Sequence, residues 1–446
     1  MTVTTDKIIT EASALETIED AIANSQAEGV FVTLSSNESV LSRFSENQIS
    51  QNVHKNRFSL SVTSYFGRKS ASASTTELDR EAIIATLRRA ENLARFAPED
   101  PEWVELLPPQ TYEARKPAMS SALVNFSPEN RGKIVQQVCN EARKSGVDGS
   151  GTFSSSISLV AIGNSAGLRA AEQGTDADFS FTARQGNGSS WSQLTSWDVA
   201  SLPIEEATEK TIEKAIASRN PQAITPGDYT VIFEPQAMAS LLPWVIWNLD
   251  ARAADEGRSF MSRSDDRGSM GNRVGEQLFS PLVQVQRNPA HPLLQSGTFF
   301  GNGLPNTYLE IIKDGIGQTL SYSRYWAKQQ STQPTGSFYP IVMSGGNQTT
   351  EELIAETEKG ILVTRAWYVR YVNPRTLEVT GMTRDGTFLI EDGKIAYPVK
   401  NLRFNQSLPE MLHDISAVGK VQRCRSGVIP VCKVENFHFS SVTDSV

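Results

Sequence analysis

Cysteine is scarce here: Cys139, Cys424 and Cys432 are the only three in 446 residues. An odd, widely spread set excludes a disulfide framework and points to a reducing compartment. Histidine is nearly as scarce, and no two of His54, His291, His413 and His438 share a helical or hairpin motif. A metal site built on them would need distant segments to converge. No stretch reaches the ~20 apolar residues of a membrane span. The opening MTVTTDKIITEASALETIEDA has no apolar leader core. A cytoplasmic protein with no membrane partner is expected. Clustered basic charge is missing too. The net charge is -8, and Arg88, Arg89, Arg143, Lys144 and Arg423 are scattered, which disfavours nucleic acid as a partner. No G-x-S-x-G elbow is present, and neither Gly186-Asn187-Gly188 nor Gly301-Asn302-Gly303 completes a phosphate-binding G-x-G-x-x-G. Both read as turns.

The chain does have ordinary globular composition, 39% hydrophobic and 21% charged, which argues against disorder. Its length favours two or three domains. Val30 to Leu34 is a short apolar run. Phe58, Leu60 and Val62 alternate with Ser59, Ser61 and Thr63, which predicts a half-buried strand. A turn at Gly67-Arg68 leads to a returning strand through Ala71 and Ala73. Thr76 and Asp79 have capping-box spacing before a stripe of Leu78, Ile83, Leu87, Ala90, Ala94 and Ala97. Ser127-Pro128 opens a second helix carrying Ile134, Val138 and Ala142, and Gly146 closes it. Ile157 to Ile162, and the alternation of Phe179, Phe181 and Ala183, predict further strands, and a third helix follows over 204–218.

Asn220-Pro221 and Pro226-Gly227 interrupt the pattern. We place a domain boundary there, giving domains over 1–220 and 221–446. Beyond it, Tyr229 to Phe233 predicts a strand, and Gln236 to Asp255 one continuous helix. From Gly360 onward strand follows strand, with turn signals at Asn373-Pro374, Asp385-Gly386 and Asp392-Gly393. The expected fold class is α+β. An N-terminal α/β-layered domain precedes a mostly antiparallel β domain with one long helix at its start.

Several segments, in order, carry a resemblance. They are Gly257-Arg258-Ser259-Phe260 with Gly275-Glu276, then Glu351-Glu352-Leu353 through Glu358-Lys359-Gly360-Ile361-Leu362-Val363. Asp385-Gly386, Ile390-Glu391-Asp392-Gly393-Lys394-Ile395 and Pro398-Val399-Lys400 follow. Ala90 and Ala94, on a helix after a hairpin, fit the same pattern. Together these resemble the TldD/PmbA family of metallopeptidase-complex proteins.

The resemblance implies a two-subunit peptidase in which one subunit type carries an HExxxH helix, with two histidines on zinc and a glutamate acting on the zinc-bound water. In this chain the matching helix reads Leu241-Leu242-Pro243-Trp244-Val245-Ile246-Trp247-Asn248. Pro243, Trp244 and Asn248 stand where the family places histidine and glutamate. The catalytic, cofactor-binding and metal sets of this chain are therefore expected to be empty, with zinc in the partner. The expected partners are an HExxxH-bearing paralogue and a peptide substrate, with a homodimer when the chain is isolated.

Other constellations stay open at this stage. Zinc-bearing relatives also place a cysteine ligand near the C-terminus, but the spacing of Cys424 and Cys432 fits no zinc ribbon. Those thiols with His438 define a third possibility, a self-sufficient hydrolase. Ser344-Gly345-Gly346-Asn347 offers amides to a peptide or forms a plain loop. Asp250, Asp255 and Glu256 form a solvated face or a carboxylate pair. Trp244 and Trp247 mark core packing or an interface. A non-enzymatic peptide- or protein-binding modulator is the alternative function.

Overall fold

The computed structural model describes residues 8–115, 118–264, 270–294 and 296–443. The first seven residues, read above as part of a polar start, lie outside them. Residues 29–196 build a six-stranded antiparallel sheet in the order β3-β2-β1-β4-β5-β6. Its strands are β1 (Gly29–Ser45), β2 (Gln48–Phe66), β3 (Lys69–Thr75), β4 (Asp148–Asn164), β5 (Arg169–Gln185) and β6 (Gly188–Ser196). Period-2 alternation decides which way each side chain points. Val30, Val32, Leu34, Leu60, Val62, Phe153, Phe179 and Phe181 are buried on one face. That face is covered by helices α1 (Glu11–Ala23), α2 (Arg80–Phe96), α3 (Ser121–Val124), α4 (Pro128–Lys144) and α5 (Ile204–Ala217). Small hydroxyl side chains carpet the opposite face, among them Thr33, Ser35 and Ser39 of β1 and Ser154, Ser156 and Ser158 of β4.

Two helix starts illustrate how sequence becomes geometry. Ser127 caps α4 as expected, accepting from the Asn130 amide at 3.1 Å, with Pro128 first in the helix. The start of α2 differs from expectation. Asp79 is itself the cap and accepts from the Ala82 amide at 2.9 Å. The apolar spacing explains the shift. Leu78 just before the cap and Ile83 four residues into the helix both join the core, a hydrophobic staple that fixes the entry angle.

The second sheet holds thirteen strands. Its main path runs β12-β11-β10-β13-β21-β7-β14-β17-β18. The ranges are β7 (Gly227–Phe233), β10 (Val285–Arg287), β11 (Leu309–Lys313), β12 (Ile316–Gly317), β13 (Ile341–Met343), β14 (Lys359–Val363), β17 (Thr387–Glu391), β18 (Lys394–Pro398) and β21 (Gly427–Val442). Strands β15 (Ala366–Asn373), β16 (Glu378–Thr383), β19 (Leu402–Ser407) and β20 (Ile415–Cys424) branch from it. A small hairpin of β8 (Ser262–Ser264) and β9 (Met270–Asn272) stands apart. Pairing is mostly antiparallel, as expected, but β7 runs parallel to β14 and β13 parallel to β21.

Two local expectations fail for physical reasons. The single helix over 236–255 is two, α6 (Pro235–Trp247) and α7 (Ala251–Asp255). The Asn248 carboxamide folds back to donate to the Trp244 carbonyl at 2.7 Å, and Asp250 caps a new helix through the Ala253 amide at 2.7 Å. Polar side chains that bond their own backbone end a helix which apolar periodicity alone would continue. Asp385-Gly386 makes no hairpin, because β16 and β17 pair with other strands. Asp392-Gly393 does turn a hairpin, joining β17 to β18 with φ of 49° and 74°. Among the described residues, no helix is long and apolar enough to cross a membrane.

Candidate functional site

Helix α6 and the residue after it hold the positions at which the family resemblance would place zinc ligands. It lies over β21, β15 and β20, with Leu241, Leu242 and Val245 buried. The three positions of interest are engaged otherwise. The Pro243 carbonyl accepts from Tyr339 Oη at 3.0 Å. The Trp244 ring meets Tyr371 edge-on at 4.7 Å, and Trp247 at 6.5 Å. Asn248 Nδ2 donates to Tyr371 Oη at 2.9 Å as well as to Trp244. Proline has no side-chain donor atom, and the indole nitrogen of tryptophan is a hydrogen-bond donor only. This set does not fit zinc, which takes imidazole, thiolate or carboxylate. Trp247 is 70% exposed, so the two tryptophans divide, one packing inward and one facing out.

The other sequence candidates are not gathered together. Asp250 caps α7. Asp255 accepts from Trp326 Nε1 at 2.8 Å and Asn272 Nδ2 at 2.9 Å. Glu256 pairs with Arg252 at 2.9 Å and Arg258 at 2.5 Å. Each carboxylate has a separate structural task. Cys424 and Cys432 are buried in the β20–β21 ladder. Burial pushes the Cys424 thiol up to about 12 and raises that of Cys432 as well, so both are neutral and unreactive. His438 lies six residues beyond Cys432 on β21, roughly 20 Å away at the rise of a strand, and pairs with Asp228 at 2.7 Å. No thiolate–imidazole pair forms. His54 and His413 bond Glu38 and Asp414. His291 Nδ1 accepts from the Leu293 amide at 3.2 Å. Among the described residues, no three His, Cys, Asp or Glu side chains converge on a metal-sized site.

Ser344-Gly345-Gly346-Asn347 is a packed loop. The Gly346 amide donates to the Gly419 carbonyl at 2.8 Å. A Cβ on Gly346 would stand 2.4 Å from the Val418 carbonyl oxygen, so only glycine permits this approach.

Sequence reasoning missed the groove between the two sheets. About 590 Å³ of open space lies there between β6, α5, the start of α6 and the end of β20. The walls are tied together across the chain. Arg365 is sandwiched between Trp191, 3.9 Å away, and Trp367, 4.3 Å away. It pairs with Asp385 at 2.6 Å, which also accepts from Ser189 Oγ at 3.0 Å. Lys214 of α5 meets Glu234 at 2.5 Å. Trp191 and Arg365 lie 174 positions apart in sequence, so no local pattern announces their contact.

A second recess of about 500 Å³ adjoins the first at Trp197 and Arg423, with Glu11, Glu172 and Asp176 on its walls. Asp176 is exposed as a residue, but its carboxyl turns to the recess wall, where Thr195 Oγ1 lies 3.5 Å from Oδ2 and burial acts on it. That burial, with the nearby Asp178 charge, pushes the Asp176 carboxyl from 3.8 up to about 6, against the pull of Arg423 and Arg425. The native state therefore holds more protons than the unfolded chain across that interval, so stability falls as pH rises through it. Asp176→Asn is expected to flatten this slope and raise the urea midpoint at pH 7. Near pH 3.5 the two midpoints are expected to coincide. Equal midpoints at pH 7 would remove Asp176 as the source.

Profiles of one family match the chain from near its start to near its end. They are described as PmbA/TldA metallopeptidase domain 1 over 31–94, the central domain over 108–219 and the C-terminal domain over 226–441. The chain belongs to the PmbA/TldD family. Metalloprotease PmbA of Escherichia coli O157:H7 is 24% identical over 453 aligned positions, covering 95% of this chain and 93% of that protein. A PmbA homolog of Haemophilus influenzae is also 24% identical, covering 90% of this chain and 88% of its own length. The crystal structure of TldE from Thermococcus kodakarensis superposes with a TM-score of 0.85 at 19% identity, covering 97% of this chain and all of that one. At that identity the likeness is one of fold. The PmbA/TldD fold thus runs through the matched length, while α6 and the residue after it carry proline, tryptophan and asparagine at the positions where the resemblance would place zinc ligands.

Proposed function

We propose that this chain is the zinc-free subunit of a two-subunit metallopeptidase. It pairs with an HExxxH-bearing paralogue that supplies the zinc, and the two together enclose a chamber for peptides or unfolded proteins. The single observation supporting this is α6, whose three key positions are locked into aromatic and hydrogen-bonded packing and leave no ligand for a metal. The zinc, in the partner, would activate water and polarise the scissile carbonyl. This chain's own part is to wall the chamber and position an extended peptide. The hydroxyl-covered face of the first sheet suits a wall, because it lets a chain pass without apolar adhesion. A cytoplasmic setting agrees with three buried, unpaired thiols.

Co-expression with the HExxxH paralogue from the same genome tests the proposal. The expected outcome is a stable complex that cleaves peptides, with zinc in the paralogue and none in this chain. The isolated chain is expected to form homodimers without activity. Peptide cleavage by the isolated chain, with one tightly held zinc per chain, would refute it. Failure to associate with any such paralogue would favour a non-enzymatic modulator.

A further inference from the structure

Among the described residues, strand β6 ends its sheet and pairs with β5 alone. Two bonds show which of its residues turn their backbone outward. The Ser189 carbonyl accepts from Ser218 Oγ at 3.0 Å, and the Gln193 carbonyl from Gln236 Nε2 at 2.8 Å. Inward and outward backbone groups alternate along an antiparallel strand. Trp191, Gln193 and Thr195 therefore present N–H and C=O along the free edge. Apart from the Gln193 carbonyl, these groups have no partner among the described residues. Free edges are ordinarily blunted by charge, proline or a covering element. The sequence of β6, GSSWSQLTS, has neither charge nor proline.

This edge runs along the 590 Å³ groove. The groove walls are apolar at Trp197, Leu202, Leu293 and Val421. Leu293 and Val421 stay 43% and 38% exposed, although each has groove space in front of it. The charges on the α5 side neutralise one another as Lys210–Glu206 and Lys214–Glu234 pairs, at 2.7 and 2.5 Å. The groove thus offers a rail of backbone bonds and apolar walls; its α5 charges are paired, and its other charged wall residues, Asp198 and Arg423, are met by Ser120 Oγ and by the nearby Asp176 and Asp178 charges.

We infer that the β6 edge docks an extended, uncharged peptide segment with apolar side chains at alternate positions, added as a further strand to the first sheet. The inference rests on the peptide-handling part of the proposed function and names its substrate class. The outward stretch from Trp191 to Thr195 spans about 14 Å between its end residues, enough to pair a five-residue strand. Main-chain bonds supply affinity, and pockets for alternate side chains supply selection. Gln236 Nε2 holds the place that one N–H of the incoming strand takes.

Hydrogen exchange on the full chain decides the matter, using an N-acetylated, C-amidated heptapeptide of alternating valine and threonine. The amides of Trp191, Gln193 and Thr195 are expected to slow about tenfold or more at saturation. The fully N-methylated peptide is expected to leave them unchanged. Gln193→Pro removes one outward donor while the inward ladder to β5 survives, and is expected to weaken binding about tenfold. Gln193→Ala keeps the amide and is expected to bind within about threefold of the parent. Unprotected β6 amides at saturation, or undiminished binding by a folded Gln193→Pro chain, would overturn the inference. If the paralogue complex forms but β6 stays unprotected, the rail is wrong and the subunit reading stands. If β6 is protected and no complex forms, the subunit reading fails and the rail stands.

Discussion

Phe437→Ala is expected to destabilise the protein by about 4 kcal/mol, the range for a buried phenylalanine truncated in a packed core. Phe437 is fully buried, with ring centroids 5.0 Å from Phe233, 5.2 Å from Phe439 and 5.3 Å from Phe404. These rings come from β7, β19 and β21, so they cannot collapse together without moving three strands. Lost ring contacts add to lost burial, about 0.5–1.5 kcal/mol for each well-placed aromatic pair. Phe437→Leu keeps most of the volume and is expected to cost about 1–2 kcal/mol. Urea unfolding followed by tryptophan fluorescence checks both, with the effect in the midpoint and not the slope. A loss under about 1 kcal/mol for the alanine variant would mean that this core is loosely packed.

Asp385→Ala is expected to cost about 3 kcal/mol, because it strands a largely buried guanidinium. Asp385 is 4% exposed, and its partner Arg365 is held between two indoles. Burial lowers the pKa of Arg365, and the Asp385 charge opposes that shift. Asp385 also sits at φ 57°, which adds strain for alanine but less for asparagine. Asp385→Asn keeps an acceptor for Ser189 and tolerates the backbone, so its loss is expected to be about half as large. The double variant Arg365→Ala, Asp385→Ala is expected to recover part of the single-variant loss, since the Arg365 charge leaves with its partner, while Arg384, 3.8 Å from Asp385, still loses one contact. Additive losses in that cycle would show that the two residues act independently. Because Ser189 and Trp191 belong to β6, the same change is expected to loosen the groove and speed amide exchange along β6.

The elements legible from sequence are those whose signals are local. Ser127-Pro128 reads as a helix start because its capping atoms lie three residues apart. Leu60 and Val62 read as one face of a strand because pleating imposes a period of two. The miss at 236–255 has a local cause as well, in which two short polar side chains overrode an apolar stripe. Asp385-Gly386 misled because the same turn chemistry serves a hairpin and a crossover, and only the pairing partners tell them apart. Val434 and Phe437 are both buried though three apart, because an irregularity in the β21 pairing re-aims the strand, with Asn436 at φ 53°. No alternation pattern anticipates that.

By itself the sequence determined the family, the α+β class and the composition of the helix at 241–248, since residue identity and short spacing are enough for each. What only the tertiary structure decided is where a ligand fits. The groove joins Trp191 to Arg365 and Gln193 to Gln236, and the free β6 edge exists because strand order left it unpaired. Both follow from long-range packing, in which the burial of two separate apolar faces brings distant polar and aromatic groups together. No rule of local spacing encodes such a meeting.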